Sequence, residues 1–189
     1  MRLFITFLVL IFSLQSLSKA DDIRDLEIEG VSIGDSLLKH MTLESILKDL
    51  EYIYPDDGFW AVTFKPTYDF KNYDNVLVHG KKNDTDYLIY SITADIYNSN
   101  VEDCLNKKKK ISKDIKSNFS FTSSEDASSK HEGDSGTKTY STYFFFNLKK
   151  ESIRVACYDW SKESGHPQTT KVSLYSSEFM YWLNNEAYK

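Results

Sequence analysis

Two hydrophobic periodicities alternate along the chain, and the switches between them mark its elements. Residues Leu43, Ile46, Leu47 and Leu50 recur at helical spacing behind Thr42, a good N-cap, and Asp35 is placed to cap a preceding turn containing Leu37, Leu38 and Met41. The pattern then turns strand-like in three segments: 59–64 (FWAVTF), 75–80 (NVLVHG) and 86–97 (DYLIYSITADIY). From Val101 to Phe119 it becomes helical again, with Cys104, Leu105, Ile111 and Ile115 on one stripe, Asn100 as cap and Glu102-Asp103 in the first turn. Lys108 falls on the seam of that stripe, where its stem can lie along apolar surface with its amine in water.

Residues 120–136 (SFTSSEDASSKHEGDSG) carry no periodicity and are predicted to be a flexible loop. Alternation resumes over 137–148 and 152–160, which read as a hairpin around Lys149-Lys150-Glu151, and over 170–176. A terminal helix opening at Ser177-Glu178 presents Phe179, Trp182 and Leu183. The predicted fold class is α+β, an antiparallel sheet of about six strands with helices mainly on one face. The element order also allows two pseudo-repeated βββα units.

The first twenty residues stand apart from this body. Arg2 precedes the apolar run Leu3–Leu14, and Ser18 and Ala20 are small residues at −3 and −1 of a cleavage site before Asp21. This reads as a signal peptide over 1–20, leaving 21–189 as one domain, and no later run is long enough for a membrane helix. The expected product is exported, periplasmic or secreted, without an integral membrane segment after cleavage. Losing Arg2 and Lys19 moves the formal charge from −5 to −7, which offers nucleic acid no general attraction.

In an oxidising compartment the two cysteines, Cys104 and Cys157, have one intramolecular pairing, expected to staple the central helix to a strand. Closing a loop of 53 residues stabilises the fold by about 4 kcal/mol through chain entropy.

Candidate chemistry is sparse. The letters Gly34-Asp35-Ser36 invite a serine hydrolase with Ser36 as nucleophile and His166 or Asp159 as late partners, which requires those groups to converge within hydrogen-bond reach. His131, Glu132, Asp134 and Asp126 share one polar stretch without a metal-ligand spacing, so no metal site and no cofactor is expected. The run Lys107–Lys110 reads as a solvated helix face, and Ser135-Gly136-Thr137-Lys138 lacks the rest of a phosphate loop.

Aromatic excess says more. Tyr143 and Phe145 alternate with Tyr140, Phe144 and Phe146, so rings project from both faces of one strand. Helices on one face can bury only one row. The other row meets the 120–136 loop, a protein partner or a second copy of the chain.

The segment Ile28-Glu29-Gly30-Val31-Ser32-Ile33-Gly34-Asp35-Ser36-Leu37-Leu38 resembles the opening of a group of small, uncharacterised exported proteins of marine alphaproteobacteria, where it follows a signal peptide. It also resembles the Gly-turn-then-helix opening of small envelope-assembly and inhibitor-type domains, with Val31-Ser32 where those have Met-Thr. The resemblance implies an exported, envelope-associated product and brings no catalytic residue. The leading expectation is therefore a non-catalytic exported protein-interaction or envelope-associated domain. A small secreted hydrolase and a small-ligand carrier with an aromatic-lined cavity are the alternatives.

Overall fold

The computed structural model of the chain describes residues 20–66, 69–131, 134–147 and 150–189. The expected signal peptide lies outside them except for Ala20, whose amide donates to the Asn118 carbonyl at 3.2 Å. The described chain is α+β. Its strands are β1 (Phe59–Thr63), β2 (Asn75–Lys81), β3 (Ser91–Asn98), β4 (Ser123–His131), β5 (Asp134–Phe146), β6 (Glu151–Asp159) and β7 (Gln168–Tyr175). They form one sheet in the order β1-β2-β3-β7-β6-β5-β4, with every neighbouring pair antiparallel. The helices are α1 (Leu43–Asp49), α2 (Val101–Asn118) and α3 (Ser177–Asn185).

Seven strands rather than six result because residues 123–131 are not a loop. They pair with β5 from Ser123↔Phe145 to Lys130↔Lys138. Hydrophobic periodicity gives no sign of this strand, because nearly every side chain of SSEDASSKH is exposed on both faces. Its backbone ladder to β5 holds it, and such bonds leave no mark in the sequence. Glu125, Asp126 and Lys130 also discourage pairing along its outer edge. As an edge strand, β4 covers neither row of aromatic rings.

The sheet is two meanders, β1–β3 and β4–β7, joined side by side at β3 and β7, with α2 as the crossover between them. Helix α2 packs on β3, β7 and β6. Helix α1 shares that side through Ile46, and these two keep most of the helix on one face. Helix α3 crosses to the other face, where Phe179 meets Phe59 and His79. The second half therefore has four strands and an oppositely placed helix, so the βββα order does not recur as an equivalent unit.

Local signals explain most element boundaries. The Thr42 hydroxyl accepts from the Ser45 amide and the Asn100 side chain from the Asp103 amide, so both caps fall where expected. Asp35 does not cap; its carboxylate accepts from the Ser32 amide at 2.9 Å, closing the turn at Gly34. Strand β3 starts later than alternation suggests because Tyr87 takes φ +51°, and Leu88 pairs with Ser36 instead. On β2, Gly80 faces Trp60 so closely that a Cβ there would enter the indole ring.

The main core fills the α2 side of the sheet. Ile92, Ile153, Val155, Leu174, Phe144 and Phe146 are fully buried there, and each of the two rings contributes about 2–3 kcal/mol by leaving water. Cys104 and Cys157 form a disulfide with Cα atoms 5.6 Å apart, joining α2 to β6 beneath a completely buried surface. Lys108 does not keep its amine in water. It donates to the Thr142 hydroxyl at 2.6 Å, with Asp126 at 3.7 Å, and burial lowers its pKa despite that carboxylate.

Candidate functional site

Strand alternation sends a second set of residues to the face away from α2. On β6 these are Ser152, Arg154, Ala156 and Tyr158, between Ile153, Val155 and Cys157 on the core side. One end of this face lies under α3, where Phe179 sits 5.2 Å from Phe59, 4.8 Å from His79 and 5.8 Å from Tyr175, ring centre to ring centre. Past α3 no helix covers the sheet among the described residues, and its surface is made of its own long side chains.

Arg154 is the centre of that stretch. Its guanidinium carbon lies 5.5 Å from the ring centres of both Tyr143 and Tyr158, and its Nε donates to the Ser141 hydroxyl at 3.1 Å. Tyr143 stacks on Phe145 at 5.9 Å with ring planes 7° apart. Lys171 reaches over Tyr158 at 5.7 Å and pairs with Asp95 at 2.7 Å. Burial works against the charged guanidinium of Arg154, but the hydroxyls of Tyr158, Tyr175 and Tyr143 outweigh it and raise its pKa further. Arg154 is thus a fixed, half-buried cation in a ring-walled slot.

The array continues to the far end of β6. Tyr158 stacks on Trp160 at 5.4 Å, and the Trp160 ring lies 5.0 Å from His131 and 4.8 Å from His166. A shallow cleft of about 460 Å³ opens there, lined by Trp160, the two histidines, Asp134 and Ser161 among others. Asp134 accepts from the Thr137 hydroxyl and from Ser161 Oγ at 2.8 Å, and these bonds hold its carboxyl below the usual range. A second exposed patch lies beside α1, where Leu43, Leu47 and Tyr52 rim a trough of about 650 Å³ next to Trp60.

The proposed nucleophile and its partners do not meet. Ser36 Oγ donates to the Asp86 carbonyl at 2.6 Å, beside the chain entering β3. His166 and Asp159 lie in and near the β6–β7 connection, next to Gln168, which pairs with Asn98 at the exit of β3. The eight residues of β3 separate the two groups, a span of about 25 Å. Nor do the acids of the 120–136 stretch gather. Asp126 faces Thr142 and Lys108 on the α2 side, Asp134 serves Thr137 and Ser161, and Glu132 lies outside the described residues. Among the described residues no three His, Cys, Asp or Glu side chains are placed to hold a metal ion.

The five rings expected to make an interaction surface divide between the faces. Phe144 and Phe146 belong to the core on the α2 side, and Phe145 is nearly buried against Tyr143. Tyr140 shares the α2 face by strand parity and is half-buried, so Tyr143 alone of the five flanks Arg154. Arg154, Tyr158 and Trp160 were not expected, although the sequence holds a trace of them. In SIRVACYDW a single arginine interrupts an apolar strand at a position whose period-two neighbours are aromatic or small. Comparison of the chain with protein-family models, with curated proteins and with solved structures finds no match.

Proposed function

We propose that this is a non-catalytic exported domain that binds another polypeptide through the sheet face opposite α2. One observation carries the reading: a contiguous array of Tyr143, Arg154, Tyr158 and Trp160, each partly exposed, lies on a face that neither α2 nor β4 covers. Large rings and arginine are the side chains that dominate protein interfaces. The reading as an exported product is supported by the apolar leader before Asp21, by the Cys104–Cys157 disulfide and by the resemblance of the 28–38 segment. Among the described residues no helix is long and apolar enough to cross a membrane.

Photo-crosslinking in the native envelope or culture fluid tests the proposal. A benzophenone side chain at Tyr143 or Trp160 should give a discrete adduct with one polypeptide, while the same group at exposed Lys109 on α2 should give none. Adducts at Leu47 on α1, without any at the two sheet positions, would overturn it.

A further inference from the structure

We infer that the Arg154 slot receives a carboxylate of the bound polypeptide; this rests on the binding role proposed for the same face. Three observations lead there. The first is a donor count. Of the five N–H groups of a guanidinium, Nε–H is used by Ser141 and Tyr158 offers one hydroxyl, which leaves donors with no protein acceptor among the described residues. The second is a charge count. No described carboxylate makes an ion pair with Arg154; Asp95 is taken by Lys171, and Glu125 stands beyond Tyr143, on the next strand out. A half-buried cation without a counter-charge is costly, and an arriving anion in such a site gains more than it would in open water.

The third is shape. Tyr143 and Tyr158 flank the guanidinium at equal distances, and the Ser141 bond fixes its tilt. The group is already in its binding geometry, so little side-chain entropy is lost on contact. A planar slot suits a planar anion, and a carboxylate can accept two parallel N–H bonds from a guanidinium. The partly exposed Tyr143 ring beside it offers an apolar shelf, so the favoured carboxylate sits next to an aromatic or aliphatic side chain. A main-chain carboxylate at the end of a chain and an acidic side chain share this chemistry.

N-acetyl-L-phenylalanine is a suitable probe of the carboxylate and shelf together, with N-acetyl-L-phenylalaninamide and inorganic phosphate at matched ionic strength as comparisons. Two-dimensional NMR of the whole oxidised protein should show the Arg154 Nε–H and the Tyr143 and Tyr158 ring signals shifting together, with a Kd on the order of millimolar. The amide should bind at least about tenfold more weakly, the loss of a charge-assisted pair. Arg154→Gln should abolish the response, and Arg154→Lys, which keeps charge without the planar fork, should retain only part of it. Because the amide comparison needs no variant, misfolding of Arg154→Gln leaves the test intact. Equal binding of acid and amide, or tighter binding of phosphate, would overturn the carboxylate assignment. The α-amide of N-acetyl-L-aspartic acid, whose one carboxylate is the side chain's, separates the sources: binding as tight as that of N-acetyl-L-phenylalanine assigns the slot to an acidic side chain, and weaker binding assigns it to a chain end. Crosslinking at Tyr143 that persists alongside a failed titration would refute this slot and leave the binding face standing.

Discussion

Between pH 7 and 4 one residue, His79, should weaken this fold as it takes up a proton. The imidazole lies on β2 beneath α3, 4.8 Å from Phe179 and 6.2 Å from Tyr54, with Ala61 and Ser91 beside it in the register. Both ring nitrogens are buried without a hydrogen-bond partner. Burial, with a smaller push from the Lys171 cation, pulls its pKa from 6.5 down to about 4. The other titratable groups around it are Tyr54, whose hydroxyl burial pushes up, and Tyr175 and the Lys81–Glu178 ion pair at the rim of α3. The unfolded chain thus binds a proton at higher pH than the folded one. Stability is fully present above pH 6.5 and falls as pH drops toward 4, by about 2 kcal/mol at pH 5 and about 3 kcal/mol at pH 4. Urea unfolding of the wild type and of His79→Leu across pH 7 to 4 measures the difference. Leucine has similar volume and no polar atoms to leave unsatisfied, so the variant should match or exceed the wild type at pH 7. Carboxylates titrate alike in both proteins, and subtraction isolates the histidine. Parallel stability curves for the two proteins between pH 7 and 4.5 would refute the reasoning.

Three further outcomes are expected. Replacing both Cys104 and Cys157 by serine should cost about 4 kcal/mol in urea unfolding, from the 53-residue closure, and identical midpoints with and without reductant would contradict it. Gly80→Ala should displace the Trp60 indole and cost at least about 2 kcal/mol, with a red shift in tryptophan emission as the ring leaves its pocket. Ser36→Ala should remove only the bond to the Asp86 carbonyl, costing about 1 kcal/mol, and should show no energetic coupling to His166→Ala in a double-mutant cycle.

What the sequence reveals and hides follows from where each residue sends its information. Thr42 and Asn100 cap their helices because capping is local, decided within three residues. The Cys104–Cys157 pair is legible because two cysteines admit one pairing. Strand β4 is illegible because an edge strand with water on both sides needs no apolar residue, only a neighbour's backbone. The Asp86–Tyr90 stretch reads as strand by alternation, yet the bridge of Leu88 to Ser36 and the left-handed Tyr87 delay β3, and these are tertiary decisions. The placement of α3 has the same origin. Its apolar stripe shows that it must dock, while the choice of face is made by Phe59, His79 and Tyr175, which belong to three different strands.

Strand β6 links the two faces mechanically. Its odd positions enter the core, and one of them, Cys157, is covalently tied to α2; its even positions carry Arg154 and Tyr158 on the opposite side. Ladders to β5 and β7 hold the same strand along its whole length. The guanidinium slot therefore stands on a backbone held by two ladders and a disulfide, where the spacing of its walls is set by strand pairing rather than by a loop. Rings supplied from adjacent strands, Tyr143 on β5 and Tyr158 on β6, keep that spacing as long as the ladder persists. The Trp160 cleft lacks this support, since it lies past the end of β6, where Gln168 side-chain bonds to the Trp160 backbone replace the ladder. A charge-recognising contact, which loses strength steeply with misplacement, belongs on the first site; the second suits a tolerant stacking contact at the rim of the interface we propose.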